Sequence, residues 1–146
     1  MNTIGQLLES KGKDIWSIVP NATVFEALRI MAQNNVGALL VIDKGKLVGI
    51  FSERDYARKV ILEGKSSKDT AVGELMTKDV YYIDPKNTLH ESMAVITARH
   101  IRHMPVLDKD RLVGMVTLGD VVKQIIADQE FTIRELEKYI SGSYEI

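Results

Sequence analysis

The chain has 146 residues, 45% hydrophobic and 27% charged, with a formal net charge of -1. So even a balance gives no field to steer it onto nucleic acid or an anionic membrane, and neither is expected as a partner. The lack of cysteine excludes a disulfide framework, a thiolate metal site and a cysteine nucleophile. No apolar run approaches the length of a membrane span, and residues 1–14 lack the layout of a secretory signal, so a cytoplasmic protein is expected.

Ile4-Gly5-Gln6-Leu7-Leu8 opens the chain and is expected to be a short helix. Residues 15–19 follow as an apolar strand ended by Pro20. Thr23-x-x-Glu26 has the spacing of a capping box, and Val24, Ala27, Leu28 and Met31 then share one helical face. Residues 39–42 and 47–51 are two β-rich runs joined by Asp43-Lys44-Gly45-Lys46, which has hairpin chemistry. A second helix turns Tyr56, Ala57, Val60 and Ile61 inward. Residues 63–70 are polar, with Gly64 and two serines, and are expected as an exposed loop.

From there the pattern begins again. Residues 15–61 align with 80–126 at one offset, 65, without a gap, and twelve of the 47 pairs are identical. Among them are Pro20/Pro85, Thr23/Thr88, Glu26/Glu91, Asp43/Asp108, Gly49/Gly114 and Asp55/Asp120. Upstream, residues 4–8 match Val72-Gly73-Glu74-Leu75-Met76 at an offset of 68, so the first copy carries three extra residues around Lys11-Gly12-Lys13. The second copy therefore has a strand over 80–83, a helix capped by Thr88-x-x-Glu91 with Leu89, Met93 and Ile96 on one face, and a turn at Asp108-Lys109-Asp110-Arg111. Its second helix puts Val121, Val122, Ile125 and Ile126 inward. Residues 131–140 form a last amphipathic helix, capped by Thr132-x-x-Glu135. Its apolar side (Leu136, Tyr139, Ile140) packs on its own domain or joins a second chain.

The expected fold class is α/β, a β-α-β-β-α unit written twice and packed with pseudo-twofold symmetry, because one copy of about 60 residues buries too little surface alone. The expected boundaries are 1–65 for the first motif with its N-terminal helix, 66–127 for the second motif, and 128–146 for the C-terminal helix and tail.

These repeats resemble CBS motifs, which occur as pairs called Bateman modules. The resemblance is carried by Pro20-x-x-Thr23 and Pro85-x-x-Thr88, by Arg102-His103-Met104-Pro105-Val106, and by Gly49-Ile50-Phe51-Ser52-Glu53-Arg54-Asp55 with Gly114-Met115-Val116-Thr117-Leu118-Gly119-Asp120. More narrowly, Ser52-Glu53-Arg54-Asp55-Tyr56-Ala57-Arg58-Lys59-Val60 and the tail through Tyr139 are similar to stand-alone CBS-pair proteins of bacteria and the plant CBSX group. The resemblance implies a regulatory sensor that binds AMP or a related adenosine ligand (ADP, ATP or NAD(H)) in the cleft between the motifs. It also implies a homodimer and an unidentified regulated protein. The alternative is an interaction module that regulates a partner without bound nucleotide.

The segment Gly-x-x-[Ser/Thr]-x-x-Asp supports two roles. A hydroxyl N-cap with an acid three residues on is a capping box that needs no ligand. Yet the other three boxes use Glu, and these two use Asp, which is short for reaching back and suits a fixed acceptor for ribose hydroxyls. The preceding glycine permits close approach, and the helix N-terminus offers N–H groups to phosphate. In CBS motifs the equivalent Asp binds ribose and the hydroxyl residue binds ribose or phosphate, which carries over to Ser52, Asp55, Thr117 and Asp120. Arg54, Arg102 and His103 are the expected phosphate partners, with Lys11 and Lys13 also within possible reach. The copies differ here: Gly119 stands opposite Arg54, and Gly37-Ala38 opposite Arg102-His103. Ile18, Val19, Leu39, Ile83 and Met104 would line an adenine slot or are merely core.

His100-x-x-His103 lacks a third ligand, so no metal is expected. No nucleophile is paired with a base, and neither a phosphate-loop lysine motif nor Gly-x-Gly-x-x-Gly occurs, so the chain is not expected to be an enzyme.

Overall fold

The computed structural model describes residues 2–140. In chain order its elements are α1 (Ile4–Lys11), β1 (Ser17–Ile18), α2 (Val24–Asn34), β2 (Ala38–Asp43), β3 (Lys46–Ser52) and α3 (Glu53–Asp55), which runs into a π-helical turn over Tyr56–Ile61. They continue with α4 (Val72–Leu75), α5 (Leu89–Arg99), β4 (His103–Asp108), β5 (Arg111–Thr117) and α6 (Leu118–Ile140). They fold as two compact units. One holds residues 14–82; the other joins residues 2–13 to 83–140.

In the unit of residues 14–82, β1 pairs parallel with β2, which pairs antiparallel with β3. Its core gathers Ile18, Val24, Ala27, Met31, Leu39, Val41, Phe51, Val60 and Val72. In the other unit β4 and β5 form the hairpin, and the core is Ile4, Leu7, Leu8, Ile83, Leu89, Ile96, Met104, Val106, Val116 and Val121. Local chemistry explains the shared pattern. Thr23 and Thr88 sit in extended backbone and accept from the amides of Glu26 and Glu91, satisfying donors that the first helical turn leaves unpaired. Asn35 and His100 end the two helices in left-handed conformation, at φ 52° and 54°. Both hairpin turns carry two consecutive positive φ angles, Lys44 with Gly45 and Lys109 with Asp110, which matches the twist of the strands they join.

The first motif and its N-terminal helix were expected within one domain, at 1–65. The structure instead gives α1 to the unit of the second repeat, and keeps α4, which precedes the second repeat in sequence, in the unit of the first. The two placements correspond contact for contact. The Asn2 carbonyl accepts from the Leu89 amide and the Thr70 carbonyl from the Val24 amide, each capping a helix start. Gly5 donates to Pro85 O (2.8 Å) and Gly73 to Pro20 O (2.9 Å). A Cβ on Gly73 would lie 2.9 Å from the Pro20 ring and 3.1 Å from its carbonyl oxygen, so glycine is what allows this approach. Leu8 presses on Gly114 as Met76 presses on Gly49.

Several element boundaries also differ. The strand expected over 15–19 is reduced to Ser17–Ile18, and that over 80–83 to one parallel bridge between Ile83 and Val106. Ala57 and Ile61 are exposed instead of inward, because the π-helical turn adds a residue to the repeat and rotates the faces. Ile126 is likewise about half exposed. Thr132 caps nothing: α6 runs unbroken through it, and its Oγ1 donates to the Asp128 carbonyl one turn back. The apolar side of this helix is largely exposed, with Leu136, Tyr139 and Ile140 at 54%, 74% and 84%. Residues 141–146 of the expected tail lie outside the described residues. Among the described residues no helix is long and apolar enough to cross a membrane.

Candidate functional site

The segments singled out by the repeat become two corners, one in each unit, where a strand turns into a helix. At the first, β3 ends on Ser52, whose backbone N–H donates to Asp55 Oδ2 (3.0 Å) while its Oγ accepts from the Asp55 amide (3.2 Å). The Ser52 hydroxyl also donates to Asp55 Oδ2 at 3.1 Å. Thr77 Oγ1 donates to Asp55 Oδ1 (3.1 Å), and Lys59 Nζ, one helical turn on, approaches the same oxygen at 3.0 Å. Lys59 is fixed from behind by its bond to the Leu75 carbonyl. The Asp55 side chain is only 10% exposed.

At the second corner, the Thr117 amide donates to Asp120 Oδ2 (2.9 Å) and Thr117 Oγ1 accepts from the Asp120 amide (3.0 Å). Here the cation comes from α1. Lys11 Nζ lies 2.5 Å from Asp120 Oδ2 and donates also to the Met115 carbonyl at 3.0 Å. Burial acts to raise the Asp120 pKa, but the bond and charge of Lys11 together with the Thr117 donors outweigh it and hold the carboxyl below its ordinary value. Asp120 Oδ1 accepts no hydrogen bond from the described residues, and the side chain is 26% exposed.

Asp therefore does reach back: both acids close their capping boxes, because the cap residue's extended backbone brings its N–H over the first turn. The glycines three residues earlier make room for Met76 and Leu8, not for an outside group. Of the expected phosphate partners, His103 starts β4 directly opposite Thr117 and is half-buried, so it shares a sheet face with that hydroxyl. Arg102 is exposed beside it, and its carbonyl accepts from the Leu118 amide at the start of α6. Ala38 takes the place of His103 in the other unit, opposite Ser52, where Arg54 is exposed on α3. Of the five residues named for an adenine slot or core, Ile18 and Leu39 belong to one core, and Ile83 and Met104 to the other. Only Val19 is exposed.

Sequence reasoning missed Thr77 and Lys59 and gave Lys11 a minor place. Lys59 had a signal, since a base four residues after an acid on a helix faces it; the second copy has Gln124 there, which turns to Asp128. Lys11 had one too, in the three residues by which the first copy exceeds the second. A cavity of about 340 Å³ lies between α5 and α6, lined by residues that include His90, Ile125, Asp128 and Ile133, and it contains none of the corner residues. No cluster of three His, Cys, Asp or Glu side chains suited to a metal ion occurs among the described residues.

The CBS domain family model matches residues 11–62 and 72–127, each match ending beyond one of these corners. The chain belongs to the CBS-domain family. It is 38% identical to CBSX3 of Arabidopsis thaliana, a mitochondrial CBS domain-containing protein, over 97% of this chain and 73% of that one. It is 34% identical to the CBS domain-containing protein YhcV of Bacillus subtilis, over 72% and 74% of the two chains. Among solved structures, a signal-transduction candidate with CBS domains from Burkholderia ambifaria has a TM-score of 0.85 at 45% identity. That match covers 87% of this chain and 96% of the other. With two CBS repeats and a signal-transduction relative of the same build, this is a CBS-domain regulatory module.

Proposed function

We propose that this CBS-domain module senses an adenine nucleotide, with AMP the leading candidate, and transmits its presence to a partner protein. The observation that supports this reading is the corner at the end of β5, where a part-exposed carboxylate, a hydroxyl and an ammonium meet at the start of a long helix, with His103 paired across the strands from Thr117. Such a set offers acceptors to ribose hydroxyls and positive charge to phosphate. AMP, ADP, ATP and NAD(H) should each be tested by thermal shift. At about 100 times its Kd a ligand that binds only the folded chain adds roughly 2.7 kcal/mol, which raises the Tm of a chain this size by about 5–10 °C. If none of them moves the transition at millimolar concentration, the reading fails.

One observation favours a second reading, an interaction module. The last turns of α6 expose Phe131, Ile133, Leu136, Tyr139 and Ile140, and clustered exposed apolar side chains mark interaction surfaces. The same turns carry Glu130, Arg134, Glu135, Glu137 and Lys138, so a second copy lying antiparallel sets acids against bases. Sedimentation should then show a dimer, and Leu136→Glu should shift it toward monomer by about tenfold or more in dissociation constant, the effect of losing a buried leucine contact. A monomeric parent chain at high concentration would dispose of it.

A further inference from the structure

We infer that the two equivalent acids have parted in role: Asp120, with Lys11 beside it, holds the nucleotide, and Asp55 is a structural carboxylate that binds none. This rests on the nucleotide reading above and assigns it to one corner. A carboxylate has about four lone-pair positions. Asp55 fills them with the Ser52 amide, the Ser52 hydroxyl, the Thr77 hydroxyl and the Lys59 ammonium, inside a side chain that is nearly all buried. A ribose diol arriving there finds no acceptor and would have to displace donors held by backbone and helix.

The Asp120 corner is built differently. Oδ2 is taken by the Thr117 amide and by Lys11, and Oδ1 accepts nothing from the described residues. Lys11 has three N–H groups and uses two, on Asp120 and on the Met115 carbonyl. The pair therefore presents one open acceptor and one open charged donor side by side, matching a sugar hydroxyl next to a phosphate oxygen. It also cancels the acid's charge, so the phosphate meets no bare carboxylate. The three-residue extension of the first copy makes this possible: α1 runs on to Lys11, whereas α4 stops at Leu75 and the residue that reaches its acid is Thr77. Thr77 occupies Asp55, and Lys11 leaves Asp120 half open.

Isothermal titration of the full chain with AMP is expected to give one ligand per chain, and Asp120→Asn to remove it. Lys11→Met is expected to weaken AMP by about tenfold or more, the worth of a charge-assisted bond, and to leave adenosine within about twofold; it reports independently should Asp120→Asn not fold. Thr77→Val, which strips a donor from Asp55 and leaves the other unit untouched, should bind AMP as the parent does. Two ligands per chain, or one that survives Asp120→Asn but is lost with Thr77→Val, overturns the assignment and leaves the nucleotide reading standing. Equal losses of AMP and adenosine in Lys11→Met overturn the role of the lysine. No heat from AMP with the parent chain overturns that reading and the assignment with it.

Discussion

Replacing Leu8 with alanine is expected to destabilise the half of the protein that is farther from it in sequence. Leu8 precedes the first repeat, yet it lies 2% exposed in the core built on the second, with Ile4, Leu7, Met104, Val116 and Val121. Its methyl groups fill the space where Gly114 has no Cβ; an atom placed there would stand 2.8 Å from Leu8 Cδ2. Truncation removes that filling, and the backbone of β5 has no side chain at Gly114 with which to collapse into the gap. The cost is therefore set at about 2–5 kcal/mol, the range for buried leucine to alanine. Hydrogen exchange locates it. Amide protection should fall over residues 83–140 while residues 14–82 keep theirs, since local stability follows the cooperative unit. Loss of protection confined to the first repeat would show that α1 packs on its own repeat and that the observed exchange of segments is wrong.

That exchange marks the limit of what the sequence made legible. Caps, turns and the repeat itself depend on neighbours within a few residues, so Thr23, Thr88 and the two hairpins could be read directly. The segments 4–8 and 72–76 could also be recognised as equivalent. Their equivalence is the reason their destination could not be read: two like segments and two like surfaces make the same contacts whichever way they are paired. Only the path of the chain between them breaks the tie, and residue types do not encode it. The acids were ambiguous for a related reason. A capping box and a ribose acceptor ask for the same side chain at the same place, and what separates Asp55 from Asp120 is a donor brought from 22 residues away in one case and 109 in the other. The apolar runs 15–19 and 80–83 read as full strands in the sequence because an apolar segment has the same composition whether or not its backbone completes a ladder.

The same contrast predicts that two residues matched by the repeat will respond very differently to mutation. Asp55→Ala is expected to cost about 2–4 kcal/mol, from a lost cap of about 1 kcal/mol and about 1–3 kcal/mol for donors left unpaired in a buried setting. The Ser52 amide and Thr77 hydroxyl lose their acceptor where little water reaches, although Lys59 is exposed enough to turn outward. Asp120→Asn should cost about 1 kcal/mol at neutral pH, because the amide keeps an acceptor for Thr117 and Lys11 can be hydrated. Its pH dependence has a definite sign. Lys11 and Thr117 hold the Asp120 carboxyl below its ordinary value of 3.8, so the folded chain releases this proton more readily than the unfolded chain. The resulting stability is fully present above that ordinary value and is lost as pH falls through the lower folded one. Urea midpoints of the parent and Asp120→Asn should therefore differ at neutral pH and converge in acid, whereas Asp55→Ala should remain far below both at neutral pH. Similar midpoints for the Asp55 and Asp120 variants at pH 7 would mean that the four donors around Asp55 do not make it structural, and that the symmetry of the sequence extends to the energetics after all.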